Sequence, residues 1–155
     1  MVRWADFECA NGELAERGRR LLYQGPIAYG FLGTVRQHDG GPRLHPVCPV
    51  IAGGGLYVFV VEMSPKYGDL LADPRYALHS FPLPEGGEEF YVTGEAWPEG
   101  DTTVRERVVA ATGGALGGHE FERLFELSVE RVLHTKWENW GTPQTWPSYE
   151  RWRPA

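Results

Sequence analysis

Three consecutive residues, Ser64-Pro65-Lys66, pose the first chemical question in this sequence. Ser64 is of the type preferred at a helix N-cap, and Pro65 suits the first helical position, where its missing N–H has no intrahelical partner to lose. A helix therefore starts here. Lys66 falls in the first turn, the wrong end for a cation, because the unpaired amides already make that terminus positive. An anion held by free amides, hydroxyl and ammonium would reconcile the three, as a phosphate does at a helix start. The competing reading is a capped helix whose lysine points into water, and the triplet alone leaves both open.

No other constellation announces catalysis. There is no GxSxG, no HExxH, no Walker sequence and no GxGxxG followed by an acidic residue at the right distance. The five histidines, His38, His45, His79, His119 and His134, show no metal-ligand spacing, so no metal is expected. Cys9 and Cys48 stand far apart without a CxxC, which reads as two free thiols in a reducing compartment. Tyr29, His45 and Tyr67 are candidates for a secondary role, with no proton transfer assigned to any of them, and Cys48 reads most simply as a small buried residue.

The elements that must position Ser64 and Lys66 lie between Arg43 and Arg75. Arg43 to Ile51 reads as a strand in which Pro46 and Pro49 each remove a backbone donor, leaving part of one edge open. Gly53 to Gly55 turn the chain into Leu56 to Met63, which carries no charge before Glu62 and reads as a central strand buried on both faces. The helix from Pro65 must stop near Asp73, since Pro74 disfavours helical geometry before it. Upstream, Asp6 to Tyr23 is a helical region and Ile27 to Arg36 a strand, joined by the Asp39-Gly40 hairpin signal to the next, so a three-strand meander is expected. Downstream, Tyr76 to Phe81 and Glu88 to Trp97 are strands, and Asp101 or Thr102 opens a helix to about Ala111. Phe121 to Thr135 fits either period and is assigned to strand. The last nineteen residues, Trp137 to Ala155, hold four of the six tryptophans with three prolines. Such a tail is expected to pack over the barrel or onto a second subunit.

Composition bounds the rest. The chain has 155 residues, 42% of them hydrophobic and 13% aromatic, enough for one packed domain spanning 1–155, and its 20 glycines and 12 prolines favour many short connections over a helical bundle. With 15 basic against 21 acidic residues the net charge is −6, so no wide basic field is available for nucleic acid. The N-terminal stretch lacks the apolar run of a signal peptide and no segment approaches eighteen apolar residues, so no membrane span and a cytoplasmic location are expected.

The order of hairpin, double-proline strand, buried strand, Ser64-Pro65-Lys66 and Leu70-Leu71-Ala72-Asp73-Pro74-Arg75 resembles the flavin-binding split-barrel family related to pyridoxamine 5′-phosphate oxidase. The likeness is good from Pro26 to Gly94 and looser elsewhere. It implies a mainly β fold, a split β-barrel with peripheral α-helices, and a homodimer holding FMN at its interface. It further implies that Lys66 and Ser64 contact the cofactor phosphate and that His45, Pro46, Val47 and Cys48 run along the isoalloxazine ring. Phe59 and Val60 would border the site, and Trp137, Trp140 or a tail arginine would reach the partner's site. The implied activity is hydride transfer by an FMN-dependent oxidoreductase to or from an unknown small molecule. The alternatives are an F420-dependent reductase, for which Arg36, Arg43, Arg75 and Lys136 would have to converge, or a non-catalytic flavin- or haem-binding protein. Three departures stand out. Pro65 occupies a position where relatives often have arginine, with Arg43 a candidate substitute. Glu88 or Glu89 stands where a glutamine is expected. The C-terminal arginine and histidine pair that holds the oxidase's substrate is absent, which argues against vitamin B6 oxidation.

Overall fold

A computed structural model describes residues 1–155, and its core follows from how the apolar residues are spaced. The N-terminal helical region is two helices, α1 (Trp4–Ala10) and α2 (Gly12–Leu22), rather than one. Asn11 separates them because its side-chain oxygen accepts from the Leu14 N–H at 3.1 Å and so starts α2. Gly18, a poor helix residue by propensity, is there for packing: a Cβ at this position would run into the Phe90 ring.

Strands β1 (Gly30–Val35) and β2 (Pro42–Val47) form the expected hairpin. The expected single strand from Arg43 to Ile51 is instead two. It ends at Val47, and β3 (Pro49–Ala52) leaves Cys48 to pair with β4 (Gly55–Val61). No three-strand meander results, because β2 and β3 lie at opposite ends of the strand path β2-β1-β5-β6-β7-β4-β3. The prolines supply the reason. A strand lacking donors at Pro46 and Pro49 is tolerated at a sheet border, and each half takes one border. The open edge read from these prolines is present, and β4 is central as expected, flanked by β3 and β7.

Helix α3 (Pro65–Ala72) ends at Asp73 and leads into β5 (Arg75–Ser80). The eleven-residue β6 (Glu88–Pro98) then serves both halves of the sheet. Its first part pairs with β5 and with β8 (Arg131–Glu138), its end with β7 (Glu122–Leu127). The bend falls at Gly94, where a Cβ would strike the Ser128 carbonyl, and the Ser128 hydroxyl accepts from the Glu95 N–H at 2.8 Å. Helix α4 (Thr102–Ala111) is capped by Asp101, which accepts from the Thr103 and Val104 amides. The ambiguous segment after Phe121 is thus β7 and β8 with a corner between them. In the tail, β9 (Trp146–Trp152) pairs antiparallel with β8 along its whole length. Leu32, Leu78, Phe90 and Val92 from one half meet Leu56, Val58, Val60 and Phe125 from the other, under a lid of Trp4, Phe7, Leu14 and Leu21. The molecule is a mainly antiparallel split β-barrel with peripheral helices.

Candidate functional site

Alternation along β2 decides which of its side chains enter the barrel. Arg43 and His45 stand opposite Thr34 and Leu32, both buried, so they face inward with Val47, whereas Leu44 and Pro46 face outward. Among the residues expected along a ring, Pro46 is therefore on the other side of the sheet from His45 and Val47. Cys48 is half-buried at the strand break, and burial pushes its thiol above the ordinary range, so it is no ready thiolate.

Arg43 is held rather than free. Its Nε donates to Asp69 Oδ2 at 2.6 Å. Asp69, on α3 and only 3% exposed, also accepts from the Gln37 N–H at 3.0 Å and the Thr34 hydroxyl at 3.2 Å. Burial alone would raise this carboxyl, but the three donors outweigh it and keep the group below the usual carboxylate range. A buried, fully satisfied carboxylate thus pins α3 to the β1–β2 hairpin and fixes the guanidinium of Arg43.

At the start of α3, Ser64 occupies the N-cap position but does not act as the cap. Its hydroxyl donates to the Val61 carbonyl at 2.7 Å, and no side chain satisfies the first-turn amides. Pro65 takes the first helical position as expected. Lys66 is half-buried without an ion pair, and burial pushes its ammonium below the ordinary range. His45 answers it from β2. Burial first, then the charges of Lys66 and Arg43, lower the imidazole, with Asp69 opposing, and its buried Nε2 has no hydrogen-bond partner. One orphaned ring nitrogen and one desolvated ammonium beside a fixed guanidinium make a site deficient in negative charge. That arrangement fits a phosphate. A crevice of about 380 Å³ is lined by Gln37, His38, Arg43, Glu62, Ser64, Tyr67 and Asp69, its two carboxylates paired with Arg123 and Arg43, and neither Lys66 nor His45 is part of its wall.

The remaining expected residues lie elsewhere. Val60 points into the barrel core, and Phe59, its neighbour on the opposite face of β4, packs beneath the Arg105 guanidinium at 5.1 Å in a second cluster under α4. Neighbours on a strand cannot border one site from one face. Trp137 and Trp140, their rings 6.0 Å apart, close over the Pro82–Glu89 loop within their own chain. Glu88 pairs with Arg20 and His134, away from Lys66. Tyr29 is half-exposed on the outer side, stacked on Phe81. The four cations that an F420 tail would need do not converge: Arg36 pairs with Asp39, Arg43 with Asp69, Arg75 with Asp73 and Lys136 with Glu138. Asp69 itself was not singled out from sequence. Its signal was present, since it is the one carboxylate in a short helix that carries a lysine in its first turn. No group of three or more His, Cys, Asp or Glu could hold a metal ion, and no helix is long and apolar enough to cross a membrane.

No protein-family model matches the sequence, and no curated protein matches it. Solved structures do. A haem-binding protein from Mycobacterium smegmatis shares 20% identity at a TM-score of 0.65, over 88% of this chain but only 57% of its own. A putative pyridoxamine 5′-phosphate oxidase from Listeria innocua shares 20% at 0.61, over 77% of this chain and 96% of its own. A NimC/NimA family protein from Clostridium acetobutylicum shares 16% at 0.62, over 86% and 91%. At these identities the likeness is one of fold: this chain has the split barrel of the pyridoxamine 5′-phosphate oxidase-like proteins.

Proposed function

We propose that this protein binds FMN non-covalently, phosphate toward Lys66, Arg43 and His45, and acts as an oxidoreductase on a small molecule. The observation that carries the reading is the orphaned Nε2 of His45 beside the unpaired ammonium of Lys66. A doubly charged phosphate would give both a partner, and the Arg43 guanidinium, oriented by Asp69, would supply the donor that Pro65 cannot. Val47 and the half-buried Cys48 lie further along the same strand and its end, where a ring attached to that phosphate would run. When bound, the flavin supplies hydride acceptance and donation, and the protein's part is to hold the phosphate, orient the ring and leave one face open.

A second copy of the chain completes this reading. Leu44, 67% exposed, and Pro46 project from the outer side of β2 beside a stack of Tyr29, Phe81 and Phe31. An apolar patch of this kind is covered in a two-fold dimer, from which Trp137 or Trp140 of one subunit would approach the partner's flavin. The two free thiols, one of them exposed, suit a reducing cytoplasm.

Haem is the second reading, and the same atom favours it: a buried, neutral imidazole nitrogen without a hydrogen-bond partner is a candidate axial ligand. Absorbance of the freshly purified protein, with mass analysis of any extracted chromophore, separates the two. FMN released in equal amount to protein, with steady oxidation of reduced nicotinamide, is the expected result. A Soret band lost in His45→Ala would favour haem, FMN without turnover would favour a carrier, and a colourless protein that takes up neither would refute both cofactors.

A further inference from the structure

Where β6 parts from β7, a cavity of about 480 Å³ opens between α3, the start of α4 and the loop that precedes β7. Pro98 stands opposite Phe125 in the last pair of the β6–β7 ladder, and the Glu99 N–H adds one bond to the Leu124 carbonyl at 2.9 Å. The chain then turns through Gly100 into α4, so β7 has no strand beside it on this side at Arg123. The floor of the gap is apolar. Leu124 and Phe125 are buried, and the Tyr67 ring meets Phe125 edge-on at 5.9 Å.

Charge of both signs surrounds that floor, and most of it has no partner of opposite sign. The Arg105 guanidinium lies 5.1 Å from the centre of the Phe59 ring and donates to the carbonyls of Gly117, His119 and Glu122 at 2.7 to 2.9 Å. These carbonyls converge because Gly117, at φ 76°, turns the loop tightly against Phe59, where a Cβ would strike the ring. Carbonyl dipoles fix the orientation of the cation and leave its charge uncancelled. Of the charged side chains around the cavity only Arg123 is in an ion pair, with Glu62 at 2.7 Å. Its guanidinium is held above the ordinary range chiefly by that bond to Glu62, and further by the nearby Tyr67 and Glu120. Glu99 accepts only the Asp101 N–H, at 2.8 Å, and the Glu120 carboxylate has no cation paired to it.

A cavity with guanidiniums and carboxylates in its wall repels a simple ion of either sign from one set as much as it attracts it to the other. A ligand that carries both charges a few bonds apart meets no such conflict. An α-amino acid is such a ligand. Its carboxylate suits Arg105 and Arg123, its ammonium the free oxygens of Glu99 and Glu120, and an apolar side chain would lie on Leu124, Phe125 and Tyr67.

We propose that the cavity bounded by Glu99, Arg105, Glu120 and Arg123 binds a free α-amino acid with an apolar side chain, held as the zwitterion. Tyr67 borders both this cavity and the crevice beside Asp69, but the four charged residues are not those assigned to FMN, and the inference holds whether the Lys66 site takes FMN, haem or neither.

The test is calorimetric titration of the full-length protein with L-leucine and L-phenylalanine, each beside two analogues that lack one charge. These are isoamylamine and 4-methylpentanoate for the first, phenethylamine and 3-phenylpropionate for the second. Saturable binding of one amino acid per chain is expected, at least about tenfold tighter than either of its analogues. Glu120→Gln and Glu99→Gln should weaken the amino acid and the amine without weakening the acid. Arg123→Gln should weaken the amino acid and the acid without weakening the amine. Glu120 and Arg123 are exposed, so these variants keep the core intact, and Lys66→Ala should leave every affinity unchanged. No saturable binding of either amino acid, analogues that bind as tightly, charge variants that alter none of the affinities, or binding lost in Lys66→Ala would each overturn the assignment.

Discussion

Strands β2 and β4 come from one stretch of chain, are six and seven residues long, and meet opposite environments. β4 has a strand on either side; Leu56, Val58 and Val60 fill the barrel, and Tyr57 and Phe59 are covered by α4. β2 has only β1 beside it, and its inward residues are Arg43 and His45 before Val47 restores the core. The contrast shows how one barrel holds both a dry interior and a charged one. Polar groups enter where a border strand leaves access from outside, and a buried carboxylate on the neighbouring helix neutralises the guanidinium that goes deepest.

The comparison can be broken at its dry side first. Leu56→Ala should cost about 2 to 5 kcal/mol in urea unfolding, because β4 cannot collapse onto a deleted side chain fully buried between two strands, yet flavin affinity of the folded fraction should not change. An equal loss of affinity would mean that the two regions are not separable. Asp69→Ala comes next, at about 2 to 3 kcal/mol of stability for three hydrogen bonds and a buried ion pair. It should also weaken FMN, since Arg43 loses its orientation; unaltered FMN affinity would detach Arg43 from the site.

Lys66→Ala sharpens the contrast on the charged side. FMN affinity should fall by about 1 to 3 kcal/mol in titration calorimetry while unfolding of the free protein is unchanged, because the lysine has no partner to lose. The smallest effect is in pH. The imidazole of His45 is lower in the folded chain than its ordinary value of 6.5, so the unfolded chain protonates first as pH falls. This contribution to stability is therefore intact above that value and is lost as pH drops through the folded one. Unfolding of the free protein between pH 7 and 5 should show the loss, His45→Gln should remove that part of it, and saturating FMN should shrink it by returning the imidazole toward its ordinary value. A pH profile identical in His45→Gln would contradict the burial of that ring.

Much of this contrast was legible in the sequence. The prolines at 46 and 49 announced a border strand, the uncharged run after Leu56 announced a central one, and Ser64-Pro65-Lys66 announced the start of α3 where it occurs. Three features were not legible. A nine-residue strand-like run gives no sign that Cys48 is a corner, since both halves keep strand propensity and only the partner strands differ. The role of Ser64 was misjudged because a hydroxyl that suits a cap can equally bond backward to Val61. Phe59 and Val60 came together from the family resemblance, although a strand sends neighbours to opposite faces.

If negative charge belongs beside Lys66, Arg43 and His45, the protein must distinguish FMN from riboflavin, the same ring without the phosphate. Calorimetric titration of the cofactor-free protein should give FMN at least about tenfold tighter than riboflavin, the equivalent of one charge-assisted hydrogen bond. Equal affinity for the two, or tighter binding of riboflavin, would mean that no phosphate site exists beside Lys66.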